Sequence, residues 1–90
     1  MSARRIVITG LVQGVFFRAQ AKEKADALGL TGWVRNNDAD GSVEVVAQGT
    51  AEHLKAFEEW CWKGPPRAKV TKVTVTEEPE KDFTDFEIRY

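Results

Sequence analysis

Two spacings of hydrophobic residues alternate along the chain. In "RRIVITGLV" (residues 4–12) Ile6 and Ile8 share one face and Val7 and Thr9 the other, the two-residue period of a strand. Gly10 to Gly14 lead out of it. From Phe17 the spacing lengthens: Phe17, Ala21, Ala25 and Leu28 form one helical stripe, with Lys22, Glu23 and Lys24 largely off it. Gly29 supplies the left-handed residue that ends such a helix. "TGWVRN" (31–36) reads as a second strand. "SVEVVAQ" (42–48) reads as a third, alternating Val43, Val45 and Ala47 with Glu44, Val46 and Gln48. Between them "NNDADG" (36–41) is turn chemistry, so the pair predicts a hairpin. Thr50 is a good N-cap for a second helix that lines up Leu54, Phe57 and Cys61 and stops at Gly64-Pro65-Pro66. "KVTVTEE" (72–78) sets Val73 and Val75 opposite Lys72, Thr74 and Thr76. "FEIRY" (86–90) alternates Phe86, Ile88 and Tyr90 with Glu87 and Arg89.

The order is strand, helix, strand, strand, helix, strand, then a closing strand. That is the split βαβ pattern of an α+β, ferredoxin-like fold, with both helices expected on one face of an antiparallel sheet. Ninety residues suit one domain, 1–90, and no repeat, low-complexity run or linker divides them.

Composition narrows the function classes. Thirteen Lys and Arg stand against fourteen Asp and Glu, for a net charge of −1. A dedicated nucleic-acid binder carries a basic excess that this chain lacks. The third strand also offers Glu44 where RNA-binding sheets of this topology display aromatics. The single cysteine, Cys61, cannot form a disulfide within the chain and fits a reducing compartment. No secretory pattern opens the sequence, and no apolar run is long enough to span a bilayer. The expectation is a cytoplasmic monomer with no nucleic-acid or membrane partner.

The most informative stretch is "GLVQGVFFR" (10–18), where a helix begins with no Ser, Thr, Asp or Asn positioned to cap it. The first turn of any helix leaves amide N–H groups without partners, and a bound anion satisfies them. Gly14 permits backbone conformations that other residues resist. Arg18 offers a planar fork suited to two oxygens of a phosphate. The competing reading is a solvated strand-to-helix turn with a surface arginine. The P-loop pattern is absent, since Gly10 and Gly14 are too close and no Gly-Lys-Ser/Thr follows.

With "GLTGWVRN" about fifteen residues later, then "DGSVEVVAQG" and a terminal "FEIRY", the chain resembles the acylphosphatases over essentially its whole length. That resemblance implies a small ferredoxin-like enzyme that hydrolyses carboxyl-phosphate anhydrides without a metal or other cofactor. It implies phosphate binding by Arg18 and by the amides of Gln13, Gly14, Val15, Phe16, Phe17 and Arg18, and an attacking water positioned by Asn36. One departure touches the asparagine. Family members have three residues between it and the turn glycine, whereas "NNDADG" has four. Counting forward from Gly32-Trp33 selects Asn36, and counting back from Gly41 selects Asn37. Asn36 is preferred because a hairpin tip absorbs an extra residue more easily than a paired strand does.

The chemistry suits these residues. A carboxylate leaving group, with a conjugate acid near pKa ~4, departs without a proton donor. Positioning and charge stabilisation then carry phosphoryl transfer. An asparagine orients water but takes no proton, so the proton is expected to end on a phosphate oxygen. The rival from another class is a non-catalytic phosphate or acyl-phosphate-binding module with the same cradle.

Other features read quietly. "NNDADG" imitates half of an EF-hand loop, but the acid expected at position twelve is Ala47, so calcium is not expected. His53 has no second histidine and reads as a surface residue. Cys61 reads as a buried thiol, Trp33 as packing, and one of Trp60 and Trp62 as a cover for the core edge. A terminal carboxylate at Tyr90 is a candidate to help hold Arg18.

Overall fold

A computed structural model describes residues 1–90. The elements run β1 (Ser2–Leu11), α1 (Phe17–Ala27), β2 (Thr31–Asn37), β3 (Ser42–Gly49), α2 (Ala51–Lys63), β4 (Lys69–Glu78) and β5 (Phe86–Arg89). The strands form one sheet in the order β4-β1-β3-β2-β5. Neither helix is long and apolar enough to cross a membrane.

The expected α+β topology is present with one correction. β1 pairs antiparallel with β3 and β4, and β2 with β3, but β5 lies parallel to β2. The sheet is therefore mixed. β4 occupies one edge, so the chain has to pass β1, β3 and β2 to reach the other, and it re-enters running in the direction of β2. Gln48, at the end of β3, ties down this crossing. Its Nε2 donates to the Lys81 carbonyl at 2.9 Å, and its Oε1 accepts from the Lys81 amide at 2.9 Å. The Gly32 amide then donates to the Asp85 carbonyl where β5 begins. A Cβ at Gly32, whose φ is 133°, would meet the Val46 carbonyl, so only glycine fits there.

Pairing register assigns the two faces of the sheet. Ile6 and Ile8 stand beside Val45 and Val43, and Val34 beside Val45. These side chains, with Ala47, pack under Phe17, Ala21 and Ala25 of α1 and Leu54, Phe57 and Cys61 of α2. Each large apolar group removed from water contributes about 1.5–3 kcal/mol, which holds both helices to this face. Trp60 covers the core edge against Phe17 and Phe57, with ring centroids at 5.3 and 5.9 Å, while Trp62 is exposed.

The opposite face departs from the simple alternation. All eight residues of β3 are buried, including Glu44 and Gln48. Arg5 and Arg35 both pair with the Glu44 carboxylate, and Arg5 also reaches Glu78 at 2.8 Å. Their guanidinium groups, together with that of Arg89, lie over Trp33 at 4.9–5.9 Å from the ring. Long cationic side chains thus cover the strand and its one acid, an arrangement that residue polarity alone does not reveal.

Candidate functional site

The strand-to-helix loop after β1 owes its shape to two left-handed residues. Gly14 has φ 73°, and Phe16, the residue preceding α1, has φ 65° and ψ 23°. No side chain caps the helix, and its first backbone bond runs from the Gln20 amide to the Phe16 carbonyl at 3.1 Å. The amides of Gln13 to Arg18 donate to no protein acceptor. Alternation of left-handed with ordinary backbone turns successive N–H groups inward, and the helix dipole adds partial positive charge. The loop is also anchored from behind. Gln13 Nε2 donates to the carbonyls of Asn37 at 3.2 Å and Ser42 at 3.0 Å, fastening the loop to the β2–β3 hairpin. Its sequence shows a glutamine in a turn; only the topology reveals that the hairpin ends lie within its reach.

A cavity of about 290 Å³ opens at this loop, lined by Gly14, Phe16, Phe17, Arg18, Ala19 and Asn36, with Val12, Ile88 and Tyr90 completing the wall. Arg18 and Asn36, eighteen positions apart, are brought to one space. Of the other residues expected to offer amides, Gly14, Phe16 and Phe17 line the cavity; the side chains of Gln13 and Val15 turn elsewhere, Gln13 to the hairpin and Val15 into the core, while their backbone N–H groups have no protein acceptor. Ala19, just past the motif, and Val12 and Ile88, which the sequence places on strands, are lining residues that were not among the expected site residues.

Strand alternation separates the two asparagines. Asn36 follows Val34 on the helix-covered face, opposite Val43, whereas Asn37 lies one residue further, opposite Ser42. The Asn37 side chain accepts from the Ala39 amide at 3.2 Å, an Asx turn within the hairpin. Asp40 likewise turns inward, accepting from the Ser42 amide at 3.0 Å and the Ser42 hydroxyl at 2.6 Å. Of the alternate positions of "NNDADG" that imitate a cation loop, Asp40 thus serves the turn itself and Asn36 lines the cavity.

Arg18 makes no ion pair. Its guanidinium lies 4.8 Å from the Tyr90 ring centroid, so the ring and not the terminal carboxylate is what meets it. A cation on an aromatic face keeps its N–H groups free at the edges for an oxyanion. Cys61 is no alternative nucleophile: burial pushes its thiol pKa up, the Glu58 charge adds to this, and the neutral thiol stays inside the core. His53 is exposed on α2.

Comparison with known proteins points one way. The model of the acylphosphatase family matches residues 4–88. An acylphosphatase of Xanthomonas euvesicatoria pv. vesicatoria is 54% identical over 86 residues, covering 92% of this chain and 97% of its own. The solved acylphosphatase of Bacillus subtilis superposes with a TM-score of 0.94 at 41% identity, covering all of both chains. That of Coxiella burnetii gives 0.94 at 42%, over 98% of this chain and 92% of its own.

Proposed function

The chain belongs to the acylphosphatase family, and we propose from that premise how its residues hydrolyse an acyl phosphate to a carboxylate and inorganic phosphate. Residues 1–90 act as one catalytic domain, working as a monomer in the cytoplasm without a metal. The phosphate enters the loop with its oxygens on the amides of Gln13 to Arg18, and the Arg18 fork takes two of them. Asn36 holds a water in line with the bond to the acyl oxygen. Water oxygen bonds to phosphorus, the bond from phosphorus to the acyl oxygen breaks, and its electron pair leaves on the carboxylate. The water's proton passes to a phosphate oxygen. No protein base is needed, because the leaving carboxylate is already stable near neutral pH. Gln13 keeps loop and hairpin, and hence Arg18 and Asn36, at a fixed separation.

The single observation that supports this reading is an unpaired arginine sharing one cavity with uncapped helix amides and Asn36. The test is hydrolysis of benzoyl phosphate by metal-free protein in the presence of a chelator. Turnover that inorganic phosphate inhibits competitively is the expected result; phosphate binding without turnover overturns it.

A further inference from the structure

The cavity has a second wall that phosphate binding does not use. Phe16 is 72% exposed and Tyr90 99% exposed, and both line the space that Arg18 and Asn36 share. Phe16 is also the only non-glycine residue with a positive φ. A bulky aromatic residue is disfavoured there, where glycine or asparagine sits at lower cost. Its ring gains little from folding, since most of it stays in water. The loop's curl therefore does not explain a phenyl group, and neither does core packing. Contact with a ligand explains it.

We propose that Phe16, together with Tyr90 of the same cavity, recognises the acyl end of the substrate and favours flat aromatic acyl phosphates over short aliphatic ones. This rests on the hydrolase reading and extends it from the phosphate to the leaving group. In-line displacement sets the attacking water and the departing carboxylate on opposite sides of phosphorus. With water held by Asn36 on β2, the acyl group projects away from Asn36, and the exposed aromatic rings that line the same cavity are those of Phe16 and Tyr90. An aromatic acyl group there gains apolar burial and offset or edge-to-face ring contact; an acetyl group offers a single methyl.

The experiment compares wild type with Phe16→Gly and Phe16→Asn, both residue types that accept the left-handed backbone. Its readout is kcat/KM for benzoyl phosphate divided by that for acetyl phosphate, so any loss common to both substrates through the loop amides cancels. The ratio is expected to fall about 5- to 10-fold. A ratio within about 2-fold of wild type in either folded variant overturns the proposal. Benzylphosphonate and methylphosphonate, which are not hydrolysed, supply the same comparison as a ratio of affinities. If wild type turns over neither acyl phosphate, the hydrolase reading fails, while the phosphonate ratio still decides whether Phe16 contacts the organic group.

Discussion

Arginine stacks on an aromatic ring at both ends of this molecule's chemistry, with opposite consequences. On the open face of the sheet, Arg89 lies 4.9 Å from the Trp33 ring centroid; in the cavity, Arg18 lies 4.8 Å from that of Tyr90. The stacking distance does not distinguish them. Their anionic surroundings do. Around Trp33, Arg5 and Arg35 share Glu44, Arg5 also holds Glu78, and Arg89 holds Glu87 at 2.9 Å. That charge is already neutralised, and Trp33 is nearly sealed beneath it, 9% exposed. Arg18 has no carboxylate and faces an open cavity beside unpaired amides. On the proposed reading, the guanidinium groups whose anions the protein supplies are structural, and Arg18, beside unpaired amides in an open cavity, meets its anion in the substrate.

Exchanging arginine for alanine in each region breaks or sustains this contrast most directly. Arg18→Ala is expected to lower kcat/KM about 10³-fold or more, with phosphate binding lost as well. Arg18→Lys is expected to be badly impaired too, because a point charge does not reproduce the two-oxygen fork. Arg35→Ala is expected to leave kcat/KM within about 2-fold, since Arg35 sits on the opposite face of β2 from the cavity. Equal losses in the two alanine variants, measured with benzoyl phosphate, would remove the distinction. The asparagines sharpen it within the site. Asn36→Ala is expected to reduce kcat about 10²-fold while inorganic phosphate still inhibits competitively. Asn37→Ala is expected to act chiefly on the hairpin, lowering the denaturation midpoint more than kcat. A near-normal kcat in Asn36→Ala sinks the water-positioning role.

Much of the helix-covered face was legible in the sequence because a hydrophobic period records which side of an element meets the core. Phe17, Ala21 and Ala25, and Leu54, Phe57 and Cys61, are such stripes, and both are buried. The candidate site was partly legible, since the lack of a cap before Phe17 shows as missing Ser, Thr, Asp and Asn. The parallel pairing of β5 was not legible: which edge a closing strand joins depends on where the intervening chain crosses, and Gln48 gives no sign of its hold on Lys81. The buried Glu44 was hidden for a related reason. An acid alternating with valines reads as a solvent-facing residue until long side chains from β1 and β2 fold over it. The role of the Gln13 side chain and the left-handed Phe16 equally depend on neighbours distant in sequence or on backbone angles, which residue type does not encode.

Glu44 tests the other half of the contrast. Removing it by Glu44→Ala leaves two guanidinium groups without their shared carboxylate, and Arg35 loses bonds of 2.8 and 2.6 Å. The arginine side chains are 34% and 48% exposed, so water recovers part of the loss. A destabilisation of about 1–2 kcal/mol is expected by urea denaturation, with kcat/KM nearly unchanged. A fall in activity without a fall in stability would mean that the sheet face communicates with the cavity and that the two regions are not separate.

The smallest effect comes from the hairpin tip that joins these regions, and its sign follows from one carboxylate. Hydrogen bonds from the Ser42 hydroxyl and amide hold the Asp40 pKa below its ordinary value of 3.8. A group whose pKa is lowered by folding stabilises the folded state above its unfolded pKa, and that stabilisation fades as pH falls through the lowered folded value. Asp40 is fully exposed, so the effect is small. Asp40→Asn keeps an acceptor oxygen and removes the charge. The difference between wild type and this variant in denaturation midpoint is therefore expected to be constant from neutral pH down to about pH 5, and to shrink as the solution is acidified below 3.8. Phosphate affinity, compared between the two at pH 7, is expected to stay the same, because Asp40 acts on the turn while Gln13, bonded to the carbonyls of Asn37 and Ser42, holds the loop. A difference that instead grows on acidification would mean that the Asp40 charge opposes the fold, with the Ser42 bonds too weak to offset it.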